Sequence, residues 1–156
     1  MKTTLTILFS FCVAFLFAQM DTIHFYNPSF EGNPNEGGAI RNTLPRGWTD
    51  CGFRGETAPD VHPVRGGNFS VSKRPAHGRT YIGMVTRDND TWEQMGQRLT
   101  KPLKAGKCYT FSVDLARSET YLSQSRVTGQ PSNYINPTSF RSVSYTHLTL
   151  PTKRIV

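Results

Sequence analysis

Trp48, Tyr81, Trp92 and Tyr121 are the side chains of this sequence best suited to ligand chemistry. A flat aromatic ring packs against the CH face of a sugar, and a rim of Asp, Asn, Gln or Arg binds the hydroxyls. Trp92 has that setting, following the polar run Arg87-Asp88-Asn89-Asp90-Thr91 and preceding Glu93-Gln94. Trp92, Tyr121 and Tyr81 are therefore the candidate ligand-binding residues. Trp48 follows Gly47 at the start of a strand candidate and is expected to anchor packing instead.

Catalytic chemistry finds less support. The chain has no G-x-S-x-G elbow, no H-E-x-x-H and no Gly-rich phosphate loop. Glycoside hydrolysis needs two carboxylates facing each other across a cleft. Glu56, Asp60, Glu93 and Asp114 are available, but nothing in their spacing pairs any two. Asp60, His62 and His77 have the right types for a metal or acid–base cluster, and are read more simply as exposed loop residues. Asp88-Asn89-Asp90 opens like a calcium-binding loop, but the sixth position is Glu93 rather than Gly and the twelfth is Leu99 rather than Glu. It is expected to be a polar turn.

The elements that must position these residues are short strands. Aromatics make up 12% of the 156 residues, with 13 Gly and 10 Pro, which favours strands joined by turns over a helical bundle. Residues 108–116 (CYTFSVDLA) give the cleanest pattern, with Tyr109, Phe111, Val113 and Leu115 on one face. Residues 81–85 (YIGMV) read as a second strand, and residues 21–26 (DTIHFY) as a short β-prone run ended by Asn27-Pro28. Gly47-Trp48-Thr49 begins another strand candidate, and alternation of Met95, Gln97 and Leu99 favours strand over helix for 92–99. Residues 52–80 are broken by Pro and Gly clusters, so any strands there are short. The expected architecture is all-β, an antiparallel sandwich.

The two ends differ in texture from the middle. Lys2 followed by the uncharged residues 5–18 reads as a signal peptide, with Gln19 as the mature start; the stretch is short for a spanning helix. An uncleaved anchor or a buried helix is the competing reading. At the other end, VSYTHL from Val143 to Leu148 resembles the read-through left by sequencing-library adapters. Natural sequence is therefore expected to stop near Arg141 or Ser142, with 143–156 a non-native tail; a natural strand is the alternative. The organisation expected is a signal peptide over 1–18, a partial β-sandwich over 19–142 and the tail. Without Lys2, Lys153 and Arg154 the formal charge of +7 falls to +4. The arginines are scattered singly rather than clustered in a stripe, so nucleic acid is not an expected partner. Export leaves Cys51 and Cys108 as an even pair in an oxidising route. Their bridge would contribute ~4 kcal/mol on the loop-entropy model, although either could pair with a residue beyond this sequence.

A family likeness rests on particular strings. Asn27-Pro28-Ser29-Phe30-Glu31-Gly32, then Pro45-Arg46-Gly47-Trp48, then residues 75–83 (PAHGRTYIG) and 103–112 (LKAGKCYTFS) occur in an order that resembles jelly-roll carbohydrate-binding modules of the galactose-binding-like type. The likeness covers residues 25–120 and is nearest to N-terminal sandwich domains of exported and outer-membrane proteins of gliding bacteria. It implies a non-catalytic domain of a larger cell-surface or secreted protein, with a polysaccharide or cell-envelope glycan as partner. Membrane attachment would come only through a downstream domain. It further implies that Glu31 helps hold a structural Ca²⁺ with loop carbonyls and a late aspartate. The rival readings are a structural or adhesion domain of an envelope protein, and a fragment of a glycoside hydrolase.

Overall fold

A computed structural model describes residues 22–37, 44–53 and 56–144. Residues 1–18, expected to be a signal peptide, lie outside them, as does all of the expected tail except Val143 and Ser144. Among the described residues there is no helix, and every strand pair is antiparallel. The chain is all-β.

Among the described residues six strands form three separate pairs. β1 (Thr49–Asp50) pairs with β4 (Met95–Gly96), β2 (Asp60–His62) with β3 (Tyr81–Gly83), and β5 (Leu122–Gln124) with β6 (Pro131–Asn133). None of these strands exceeds three residues, as a chain interrupted so often by Gly and Pro dictates. The β2–β3 pair lies at the centre. Val61 sits opposite Ile82, and its own N–H and C=O are both bonded to Asn35 at 2.8 Å. Successive residues of an antiparallel strand direct their backbone groups to opposite sides, so Asp60 and His62 are the ones turned towards β3. Gly83, opposite Asp60, has no Cβ because one would stand 2.7 Å from the His62 ring.

The buried centre is small and unusually polar. Ala58, Val61, Val85 and Tyr121 are its apolar members, beside buried Asp60, His62, Thr80, Glu93 and Ser125. A second cluster is aromatic: Trp48 lies 4.8 Å from Phe30 and 5.9 Å from Phe25, whose edge meets Phe111 at 5.6 Å. The Trp48 indole N–H donates to Asn27 O at 3.0 Å, which gives Trp48 the packing role its position suggested.

Two expected strands do not form. Among the described residues of 21–26 there is no ladder. The segment that follows is a turn, with Asn27 and Phe30 both left-handed and the Asn27 side chain bonded to the Glu31 backbone through both amide atoms. Residues 108–116 join no ladder, and Tyr109, Phe111, Val113 and Leu115 are all exposed, Leu115 at 65%. Period-two alternation describes how side chains divide between two faces; it does not supply the neighbouring strand that a ladder requires.

Candidate functional site

Three segments that are distant in sequence converge on Asp60. Its Oδ1 accepts the Gly37 N–H at 2.5 Å, and its Oδ2 accepts the Tyr121 hydroxyl at 3.0 Å. His62 Nε2 stands 3.5 Å from the same Oδ2, and the imidazole stacks on Tyr81 with centroids 5.4 Å apart. Asp60 is 1% exposed and His62 2%, so the reading of both as exposed loop residues is corrected; His77, by contrast, is exposed and pairs with Asp114. Burial raises the Tyr121 phenol far above its ordinary value, with Asp60 adding to the effect. Burial likewise pushes Tyr81 up.

A second buried group adjoins this one. Arg87 N–H bonds to Thr91 O at 2.8 Å and Thr86 bridges Trp92, so residues 86–92 form a tight antiparallel turn. In that register Val85, Arg87, Thr91 and Glu93 fall on one face. Arg87 Nη2 consequently donates to Glu93 Oε1 at 2.7 Å and to Thr57 Oγ1 at 2.7 Å, while Nη1 pairs with Glu56. Glu93 also accepts Thr57 Oγ1–H at 3.0 Å and the Val85 N–H at 3.1 Å. Burial pushes the Glu93 carboxyl up to about 8, against the opposing pull of Arg87. For Arg87 burial acts downward, but Glu93 and Glu56 more than offset it and the guanidinium stays charged.

The open surface lies on the other side of Tyr121. The Tyr121 ring stacks on Phe69 at 4.6 Å, and the Leu122 N–H bonds to Phe69 O at 2.9 Å. Between this segment and the β5–β6 hairpin runs a cavity of about 660 Å³. Phe69, Leu122 and Pro131 give it an apolar wall, and Asn68, Ser123, Gln124 and Arg126 supply the polar groups. Asp88 fixes its far rim. One carboxylate oxygen takes the Ser125 hydroxyl, and the other takes the Arg126 N–H and the Tyr134 hydroxyl, each at 3.0 Å. The Ser125 bond foremost holds the Asp88 carboxyl below its usual range. Asp88-Asn89-Asp90 is thus a turn, as expected, but one whose first residue clips a hairpin more than thirty residues away.

The predicted ligand-binding residues do not share a face. Tyr121 is 6% exposed, so it supports the cavity from behind rather than presenting a ring to solvent. Tyr81 is half-buried, its hydroxyl donating to Lys73 O at 2.9 Å. Trp92 is half-buried too, with its ring edge-to-face with Phe53 at 5.6 Å. Glu31 accepts the Arg79 N–H at 2.8 Å and pairs with its guanidinium; the backbone bond is the main cause that lowers its pKa. Among the described residues no three His, Cys, Asp or Glu gather to hold a metal. Cys51 and Cys108, whose pairing the sequence left open, are both free thiols. Cys51 directs its Sγ towards Thr49 O beside β4, whereas Cys108 lies on the exposed unpaired segment.

The cavity residues 122–131 escaped the sequence reading because Leu122-Ser123-Gln124 carries neither β-branched nor alternating apolar residues. The one signal was the pair of polar, turn-rich stretches that flank it. Searches of family models, curated proteins and solved structures find no match to this chain.

Proposed function

We propose that this chain is a non-catalytic, exported carbohydrate-binding domain of a larger cell-surface or secreted protein. In this reading the three antiparallel pairs belong to a β-sandwich of the galactose-binding-like jelly-roll type. The observation that carries it is the lining of the β5–β6 cavity. An aromatic and two aliphatic side chains stand beside an amide, a hydroxyl, a second amide and a guanidinium, the set that receives the CH face and the hydroxyls of a sugar. Tyr121 and Asp88 hold the two walls from behind, so the polar groups are positioned before a ligand arrives. The partner is a polysaccharide or cell-envelope glycan.

The buried carboxylates weigh against a hydrolase. Glu56 and Glu93 do come together, but around Arg87, with side chains only 1% exposed, where no glycosidic bond can reach them. A second reading, an adhesion or structural domain of an envelope protein, draws on the exposed apolar row Tyr109, Phe111, Val113 and Leu115. Retention on insoluble polysaccharides tests the first reading. Wild-type protein should be retained and Gln124→Ala released; no retention by any polysaccharide, with circular dichroism unchanged, rejects it in favour of the second.

A further inference from the structure

The cavity's polar groups are not equivalent, and their inequality narrows the class of sugar. Among the residues that line it, Arg126 is the one ionisable side chain, and no carboxylate is present. Two carboxylates beside the lining already accept hydrogen bonds from it. Glu36 accepts the Asn68 side-chain amide at 2.7 Å and the Phe69 N–H at 3.2 Å. Asp88 accepts Ser125, the Arg126 backbone and Tyr134. The Arg126 guanidinium, in contrast, is exposed and forms no ion pair among the described residues. Its backbone is pinned by Asp88 while its fork is left unengaged.

Resting on the carbohydrate-binding reading, we infer that the β5–β6 cavity selects acidic sugars, with the Arg126 guanidinium receiving the carboxylate of a hexuronate unit. A planar guanidinium matches a carboxylate with two parallel N–H···O bonds, which a neutral sugar's hydroxymethyl group cannot reproduce. Ser123, Gln124 and the free Asn68 carbonyl oxygen then remain for the ring hydroxyls, and Phe69 with Leu122 and Pro131 for the apolar face. Because Arg126 is exposed, the contact is partly screened and weakens as salt is added.

The test compares polygalacturonate with its fully methyl-esterified form, which keeps the same backbone and loses the charge. Affinity electrophoresis of the full chain should show binding to the acid form at least about tenfold tighter. Arg126→Gln should abolish that preference while retaining weak binding to the ester, and Arg126→Lys should restore only part of it. Equal binding of acid and ester, or a preference that survives in Arg126→Gln, overturns the inference and leaves carbohydrate binding standing. Binding to neither polymer nor to any neutral glucan or galactan, with the fold intact by circular dichroism, overturns both.

Discussion

Replacing Arg87 with methionine is the sharpest perturbation of the buried centre. Arg87 is the single cation between two carboxylates, Glu56 and Glu93, each with a side chain only 1% exposed. Methionine keeps most of the side-chain volume but leaves Glu56, and Glu93 wherever it is ionised, without a cation in a poorly solvated interior. Breaking a buried ion pair in this way costs ~3–5 kcal/mol, a large share of the ~5–15 kcal/mol that holds a domain together. The penalty must depend on pH, and its sign follows from Glu93. The Glu93 folded-state value of about 8 lies above the unfolded 4.5, so the wild type is favoured below 4.5 and loses that contribution as pH rises through 8. Without the guanidinium the carboxyl is held still higher, so at pH 5 it is neutral in both proteins and Arg87→Met is mildest, whereas above about pH 8 the wild-type carboxyl ionises against Arg87, the variant's does not, and the penalty grows with pH. Urea unfolding of wild type, Arg87→Met, Glu93→Gln and the double variant at pH 5 and pH 9 measures both the loss and the coupling. A loss under ~1 kcal/mol, an equal loss at the two pH values, or additive single variants would refute the reasoning.

Tyr121→Phe removes the hydroxyl from buried Asp60 and should cost ~1–3 kcal/mol in urea unfolding while leaving the Phe69 stack in place. Gly78 has φ +67, and a Cβ there would fall within 2 Å of Glu31 Oε1; Gly78→Ala should therefore lower the thermal midpoint by more than Gly66→Ala, where φ is also positive but the space is open. Cys51 and Cys108 should both react with a thiol reagent without prior reduction, Cys108 faster, since burial raises the Cys51 thiol. A mass change on reduction would contradict this. Asp88→Ala should loosen the rim of the cavity, read as faster amide exchange at Arg126 and weaker polysaccharide retention.

The all-β class was legible because Gly, Pro and aromatic content constrain it directly, and Tyr81–Gly83 and Thr49 read as strand for ordinary reasons of propensity. Residues 108–116 misled because a clean apolar face predicts burial only if something covers it. Asp60-Val61-His62 was hidden for the opposite reason. Its charged residues suggested solvent, and only the fold reveals that Gly37 and Tyr121 satisfy Asp60 from far along the chain. The same limit applies to Glu93: the alternation that placed 92–99 in a strand said nothing of a partner at Arg87, because that contact depends on the register of the intervening turn. Residue types announced which chemistry was available; register and long-range closure decided which side chains met.

Asp60 has a consequence for how the chain reaches its fold. Its two hydrogen-bond partners lie 23 residues upstream and 61 residues downstream. Until Tyr121 has been made, burying Asp60 would take its Oδ2 out of water with only the neighbouring His62 beside it. Among the described residues the three strand pairs share no backbone ladder, so no common sheet ties the early segments to the late ones. Loop closure over such distances is slow. Closure of the central pair is therefore expected to wait for the segment that carries Tyr121.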